Sequence, residues 1–240
     1  MKEKTVSEAI SHRRSVRIYD SEKKIDTANV KRCIEQATLA PTSSNLQLWE
    51  FYHITSPEVK NQVALNCYNQ PAAKTAQELV IPVVRLDLWR ERIQSNINFI
   101  QSNIKSPEDE QKIKGALSYY QKIIPKLYRG TSFWIGLIQK IKVSLDGIRK
   151  VSYREVSAAD LRVVGHKSAA LAAQNFMMSM AALGYDTCPM EGFDSQRLKQ
   201  ILGLPKKAQI SMVIGCGIRK PEGVYGERFR LPFKEVYKQL

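Results

Sequence analysis

The stretch from Ser168 to Tyr185 constrains the fold most, because it carries no charged residue in a chain that is 25% charged. Its Ala, Leu, Met and Phe residues favour a helix, and Gly184 stands where a helix end is expected. A helix that is apolar nearly all round is buried in a protein or in a membrane. Gln174 and Asn175 make the stretch a poor membrane span. We therefore predict a buried central helix and no membrane span.

Composition and charge narrow the class of protein. With 240 residues, 43% of them hydrophobic, and no internal repeat or linker, the chain is predicted to form one domain over residues 1–240. A net charge of +14 attracts phosphates, nucleic acid or anionic membranes. Lys and Arg are scattered among acidic residues without a nucleic-acid-binding signature, so small phosphorylated ligands fit better and no nucleic-acid partner is expected.

The cysteines and the N-terminus bear on metal sites and location. The four cysteines are far apart and form no CxxC motif, so neither a metal site nor a disulfide framework is expected. The first residues lack an apolar core of signal-peptide length. We therefore predict a cytoplasmic protein that holds no metal.

Capping residues, breaks and apolar periodicity predict the elements along the chain. Helices are predicted at 5–13, 26–40, 58–67 and 195–203, and strands at 49–54, 79–84 and 208–218. Pro41 would end the second helix, and Pro82 would place its strand at a sheet edge or a bulge. The segment 186–194 is interpreted as a turn, because it contains Pro189 and Gly192. Strands mixed with many helices indicate an α+β or α/β class.

The segment 86–160 is the least clear part of the chain, and it is predicted to be helical. Residues 133–145 are compatible with an amphipathic helix on a membrane surface. We favour the alternative that this helix packs over the fold or onto a second subunit.

Two groups of arginines at opposite ends of the chain are candidate anion ligands. In Arg13–Arg17, three arginines surround Ser15, and guanidinium groups match phosphate oxygens. From this segment alone, a solvated basic turn is the favoured alternative. Near the C-terminus, Arg228 and Arg230 would point to one face of an extended chain.

Three further segments are suited to contact a ligand. Pro41–Asn45 is a loop of small hydroxyl residues that enters a strand. Gln70 and Lys74 lie one helical turn apart. The Pro189–Gly192 turn follows the buried helix and could hold a flat ligand. Each segment is also compatible with an ordinary structural role.

The order and spacing of these motifs resemble the FMN-dependent nitroreductase family, in particular its branch of oxygen-insensitive NAD(P)H nitroreductases and dihydropteridine-reductase-like proteins. The runs that carry the resemblance are RRSVR at 13–17, PTSSNLQLW at 41–49, QPAAK at 70–74, AALG at 181–184, PMEGFD at 189–194 and RFRLP at 228–232. Leu48 and Arg228 depart from the family, which often has Pro and Lys at these positions.

The resemblance implies an α+β fold with a mixed central sheet, flanking helices and a long buried helix, in an intertwined homodimer. It also implies roles for individual residues in holding FMN. The phosphate would be held by Arg13, Ser15, Arg228 and Arg230. The ribityl chain would be contacted by Arg14. The N1/O2 edge of the ring would face Arg17 and Lys74, and the edge near N3 would face Gln70. The ring face and N5 would be contacted by Pro189, Met190, Glu191 and Gly192.

The same resemblance implies that the partner subunit completes the site with Pro41, Thr42, Ser43 and Asn45. Tyr119 and Tyr120 fall where family members carry an aromatic lid over the substrate pocket. The implied reaction is ping-pong: NAD(P)H reduces FMN, which then reduces a nitroaromatic, a quinone or a similar small molecule. No catalytic side chain is implied. Alternatives are reductive dehalogenation, flavin fragmentation, or flavin binding without turnover.

Overall fold

The computed structural model describes residues 3–129 and 133–240. The helices are α1 (Val6–His12), α2 (Thr27–Ala37), α3 (Pro57–Asn66), α4 (Pro71–Lys74), α5 (Trp89–Ser102), α6 (Pro107–Ser118), α7 (Ile124–Tyr128), α8 (Phe133–Asp146), α9 (Ala158–Ala182), α10 (Ser195–Ile201) and α11 (Phe233–Val236). The strands are β1 (Trp49–Ile54), β2 (Glu78–Val84), β3 (Asp186–Met190), β4 (Gln209–Ile210) and β5 (Val213–Gly217). These elements confirm the α+β class.

The sheet positions the site, and its order is β1-β2-β5-β3, with β4 paired to β2. The pairs between these strands are antiparallel, and an isolated parallel bridge joins Ser15 to Thr187. That bridge attaches the segment after α1 to β3. The predicted strand 208–218 is divided into β4 and β5 by Ser211 and Met212.

Two prolines lie within strands of the sheet. Pro82 is in the central strand β2 rather than at a sheet edge, and it lies where the register shifts by one residue between β5 and β4, which is the predicted alternative of a bulge. It is tolerated because the pairing of β2 passes there from β5 to β4, and only its carbonyl is bonded on that side, by the Ser211 N–H at 2.9 Å. Pro189 lies within β3, so 186–190 is a strand rather than the predicted turn. β3 is an edge strand, which accommodates a residue without an N–H group.

The central helix α9 begins at Ala158 rather than at Ser168, and it ends at Ala182. A capping box between Ser157 and Asp160 starts it. Gly184 has φ of 79°, the left-handed conformation that ends a helix, as predicted.

One side of α9 packs against α2 and the sheet through Ala173, Phe176 and Met180. The other side is open to solvent in the single chain, where Val163 and Leu171 are 52% and 48% exposed. The prediction of burial all round is therefore wrong for one chain alone.

The segment 86–160 is largely helical as predicted in its described part, with its longest non-helical stretch at residues 147–157, and residues 130–132 lie outside the described residues. Helices α5 and α7 pack together around a hydrophobic core. This core contains Leu46, Trp89, Ile93, Ile124 and Tyr128. One turn of π-helix, Tyr119–Ile123, joins α6 to α7. None of the described helices combines the length and apolar character needed to cross a lipid bilayer.

The Gly215 position tests the packing between the sheet and α4. A Cβ atom there would lie 2.5 Å from the Ala72 carbonyl oxygen and 3.2 Å from the hydroxyl of buried Tyr19. We expect Gly215→Ala to lower the free energy of unfolding by about 1–3 kcal/mol in urea titrations, because the core must shift to admit the methyl group. Gly115→Ala is the control, since a Cβ there meets nothing within 4 Å. Equal stability of the Gly215→Ala variant and the parent would contradict this packing.

Candidate functional site

The arginines from both ends of the chain meet in one pocket of about 160 Å³. The lining residues are Arg13, Arg14, Ser15, Arg17, Val224, Tyr225, Glu227, Arg228, Phe229 and Arg230. All of the arginines and the serine predicted to hold the phosphate and its polar chain are among them. The alternative of a separate solvated basic turn at 13–17 does not describe this arrangement.

Backbone and side-chain bonds hold the two chain ends together. The Val16 N–H donates to the Thr187 carbonyl at 3.2 Å, and the Arg17 N–H donates to the Gly223 carbonyl at 2.7 Å. Arg228 Nη2 donates to the carbonyl of Arg13 at 2.7 Å. Arg14 Nη2 donates to the Gly226 carbonyl at 2.9 Å. The C-terminal segment is thus attached to the start of the chain by the arginines themselves.

The pocket concentrates positive charge. Burial, followed by the neighbouring Arg228 and Arg230, lowers the pKa of the Arg13 guanidinium. Within the described residues, none of the pocket's arginines forms an ion pair with a carboxylate. The Arg17 guanidinium lies over the Tyr225 ring at 5.2 Å. Such a cluster is suited to bind an anion with several oxygen atoms.

A partly buried polar network around Asp186, beside this pocket, was not predicted. Arg219 Nε donates to Asp186 Oδ1 at 2.8 Å, and His12 Nε2 lies 3.3 Å from the same oxygen. Arg219 Nη2 also donates to the His12 carbonyl at 3.0 Å, so the network joins the end of α1 to β3. It joins residues far apart in sequence, and no local pattern marks them.

This network predicts a pH dependence of stability. Burial lowers the pKa of His12, and the nearby Asp186 carboxylate opposes this effect. Because the folded pKa lies below the unfolded one, the contribution of His12 is complete above about pH 6.5 and is lost as the pH falls. We expect the free energy of unfolding to decrease from pH 7 to pH 5 more in the parent than in His12→Gln, measured by urea titration. Equal decreases would contradict the assignment to His12.

β3 leads from the arginine pocket to a second group of predicted residues. Thr187 lies beside Ser15, and the strand ends at Met190, about 10 Å further along. Beyond it, Gln70 Nε2 donates to the Gly192 carbonyl at 2.8 Å. Lys74 is exposed at the end of α4. The structure therefore brings Gln70 and the Pro189–Gly192 segment together, on a line from the arginine pocket.

The Pro41–Asn45 loop lies elsewhere on the chain. It borders the open face of α9, where Pro41, Thr42, Ser43 and Leu171 line a cavity of about 360 Å³. The Ser43 N–H donates to Ser168 Oγ at 3.4 Å. In the described part of the chain, no hydrogen bond joins this loop to the arginine pocket. One chain alone therefore does not bring the two groups together.

Tyr119 and Tyr120 both support this loop. The hydroxyl of Tyr119 is hydrogen-bonded to Ser44 Oγ at 2.8 Å, and that of Tyr120 donates to the Ser44 carbonyl at 3.0 Å. Tyr119 also lines a cavity of about 700 Å³ with Ser43, Ser44 and residues of α7 and α8. π-Helical turns are frequent at functional sites. Tyr120 is absent from that lining, and its ring packs edge-on against Tyr119 and against the core around Leu46 and Trp89.

The described residues offer no other obvious reactive centre. Burial raises the pKa of the Cys33 and Cys67 thiols to about 11, so both are held as thiols. In the ranges that the structure describes, no three His, Cys, Asp or Glu side chains come close enough to hold a metal ion.

Comparisons with known proteins agree with this geometry. The model of a family described as the nitroreductase family matches residues 10–218. The "Putative NAD(P)H nitroreductase YdgI" of Bacillus subtilis is 25% identical over 236 residues, covering 95% of this chain and 94% of that protein.

Two solved structures have the same fold. A "putative NAD(P)H:FMN oxidoreductase" of Staphylococcus epidermidis superposes with a TM-score of 0.73 at 21% identity, covering 100% of this chain and 98% of that one. A "putative nitroreductase in complex with FMN" of Exiguobacterium sibiricum gives 0.69 at 22% identity, covering 100% and 99%. The family match spans most of the chain, and the resemblance predicted from the motifs is confirmed: the chain belongs to the nitroreductase family, a family of oxidoreductases.

Proposed function

We propose that the protein is an FMN-dependent oxidoreductase that takes electrons from NAD(P)H and passes them to a second small molecule. The observation that carries this proposal is the pocket of arginines from both chain ends, at the start of a strand that leads to Gln70 and Gly192. The names of the relatives support FMN as the cofactor and NAD(P)H as the donor.

The residues present fit FMN in chemistry and in order along the site. The guanidinium groups of the arginine pocket have no carboxylate partners among the described residues. They are therefore free to pair with the oxygen atoms of a phosphate. The distance along β3 from Thr187 to Met190 is about 10 Å. This length suits the ribityl chain that joins the phosphate of FMN to its ring. At Gly192, an added Cβ would lie 3.2 Å from Gln70 Nε2, so glycine leaves space beside that amide.

Bound FMN would supply the electron chemistry, by accepting hydride and later releasing the electrons. Arg13, Ser15, Arg228 and Arg230 would hold its phosphate, and Arg14 would contact the chain that follows. Pro189 and Met190 would lie near the ring face, while the N–H groups of Glu191 and Gly192 would donate to the ring edge. Gln70 would bond the edge near N3. Arg17 and Lys74 would place positive charge at the N1/O2 edge.

A homodimer would complete the site. The open face of α9, with Leu171 exposed, is contiguous with the Pro41–Asn45 loop through their shared cavity. Two copies joined across this face would cover the side of α9 that one chain leaves open. In this arrangement Pro41, Thr42, Ser43 and Asn45 of each chain would serve the flavin of its partner.

The cavity of about 700 Å³ beside Tyr119 is our candidate for the pocket of the second substrate. Its lining is largely apolar, with Ile123, Ile124, Leu127 and Val143. Such a pocket is compatible with an aromatic or quinone acceptor. The reaction would be ping-pong, with the donor leaving before the acceptor binds.

Lys74 offers a test of the ring's orientation. A cation at the N1/O2 edge favours the reduced, more negative form of the flavin. We expect Lys74→Ala to lower the reduction potential of bound FMN by about 30 mV, for a net interaction of about 1.4 kcal/mol. Anaerobic redox titration would measure this shift, with FMN affinity largely unchanged. A potential equal to that of the parent would show that Lys74 is a solvated surface residue.

Steady-state kinetics test the proposed reaction. With purified yellow protein, initial rates measured against NADPH at several menadione concentrations should give parallel double-reciprocal lines, the pattern of a ping-pong reaction. Intersecting lines would exclude ping-pong. Bound flavin without turnover of menadione or a nitroaromatic would instead favour a binding protein, or a flavoprotein with other chemistry.

A further inference from the structure

Helix α8 presents an apolar stripe that its own chain does not cover. Ile138, Ile141 and Leu145 follow one another at spacings of three and four residues, which places them on one side of the helix, and Ile148 lies in the turn just after its end. Together with Leu137 they are between 45% and 79% exposed. Few soluble surfaces expose a continuous apolar stripe of this length without a partner.

The orientation of the helix keeps this stripe outward. On the opposite side, Gln139 and Val143 face the cavity beside Tyr119, and Gly136 is buried. Lys140 Nζ lies 2.8 Å from Asp160 Oδ2, which attaches α8 to the first turn of α9. The stripe is therefore a surface of the folded chain.

Positive charge borders the stripe. Lys142 follows Ile141 and also lines the cavity beside Tyr119, and Arg149 and Lys150 follow at the C-terminal end of the helix. Asp146 is the one acidic residue between 133 and 150, and it pairs with Lys150 at 3.6 Å. In the described part of the chain, Lys142 and Arg149 form no ion pair.

These charges distinguish between the possible partners of the stripe. Two copies of α8 packed through this stripe would bring together two helices that each carry Lys142 and Arg149 without an acidic partner among the described residues, in chains of net charge +14. An anionic bilayer surface provides both an apolar layer for the aliphatic side chains and phosphate groups for the flanking cations. An amphipathic helix of this kind lies in the interface without crossing the membrane.

We propose that the α8 stripe docks the protein onto the surface of an anionic lipid membrane. The aliphatic side chains of Ile138, Ile141 and Leu145 enter the boundary between headgroups and acyl chains. Lys142 and Arg149 contact the lipid phosphates. This assignment rests on α8 alone and does not depend on the proposed redox reaction.

Vesicle sedimentation tests the proposal with the full-length protein carrying its native flavin. We expect binding to vesicles of equal parts phosphatidylcholine and phosphatidylglycerol, and much weaker binding to phosphatidylcholine alone. Ile138→Ser with Leu145→Ser should weaken binding at least about tenfold, because two apolar side chains no longer enter the lipid. Lys142→Gln with Arg149→Gln should weaken binding to the anionic vesicles about fivefold for each lost charge. Leu39→Ser is the matched control, because Leu39 is exposed outside α8.

Tryptophan emission locates the contact. Trp49 and Trp89 are buried, whereas Trp134 on α8 is exposed. Binding to anionic vesicles should shift the emission to shorter wavelength, and Trp134→Phe should abolish that shift while vesicle binding persists.

Three results would overturn the proposal: no binding to anionic vesicles, equal binding by the Ile138→Ser, Leu145→Ser variant and the parent, or bound vesicles with unchanged Trp134 emission. A smaller molecular mass of that variant in analytical ultracentrifugation would also overturn it, by showing that the stripe joins two copies of the chain. Circular dichroism of each variant confirms that it is folded.

Discussion

Replacing Arg13 by alanine is expected to weaken FMN binding by about tenfold to a hundredfold. Arg13 lies in the pocket with Arg228 and Arg230, and these neighbours and burial already disfavour its charge. A phosphate would offset this repulsion, and each hydrogen bond between charged groups contributes about 1.5–3 kcal/mol. Equilibrium titration of the apoprotein with FMN, followed by flavin fluorescence, measures the effect.

Arg230→Ala should weaken FMN binding in the same direction, because Arg230 lines the same pocket from the C-terminal segment. Arg32→Ala is the matched control. Arg32 is an arginine outside the pocket, and its Nη2 lies 2.7 Å from Glu3 Oε1 on the surface. If both pocket variants bind FMN with unchanged affinity, the phosphate of FMN does not bind in this pocket.

Leu171→Arg is expected to abolish the dimer, the bound FMN and turnover together. Leu171 is on the open face of α9 and lines a cavity with Pro41, Thr42 and Ser43. In the proposed dimer this arginine would be buried without a partner, which costs several kcal/mol and raises the dimer dissociation constant at least about a hundredfold. Sedimentation equilibrium, flavin content and menadione reductase activity are the three measurements.

Leu65→Arg provides the matched control, because Leu65 is exposed on α3, away from α9. This variant should remain dimeric and yellow. A parent protein that is monomeric yet keeps FMN and turnover would contradict the shared site. So would a Leu171→Arg variant that remains a fully active dimer.

Local signals in the sequence predict much of the framework. β1 is predicted with its observed bounds, because an apolar strand follows a loop of small polar residues. Asp26 caps α2 through its side chain as predicted, although the helix ends at Ala37 rather than at Ala40. The motif residues of the two chain ends lie together in the pocket.

The remaining errors have physical causes. The uncharged stretch begins at Ser168, ten residues after α9 does, so the first turns of the helix with Asp160 and Arg162 were missed. The tolerance of β3 for Pro189 depends on its place at the sheet edge, which is a property of topology. The sequence pattern of α8 and α9 shows that each helix has apolar residues on its exposed side. It does not specify which partner covers that side.

The two half-reactions, observed separately without oxygen, test the central claim most directly. In an anaerobic stopped-flow experiment, NADPH alone should bleach the absorbance of the bound flavin completely. After removal of NADP⁺, menadione alone should restore that absorbance at a rate compatible with turnover. Flavin absorbance that NADPH and NADH both leave unchanged, in protein shown to contain FMN, would contradict the account.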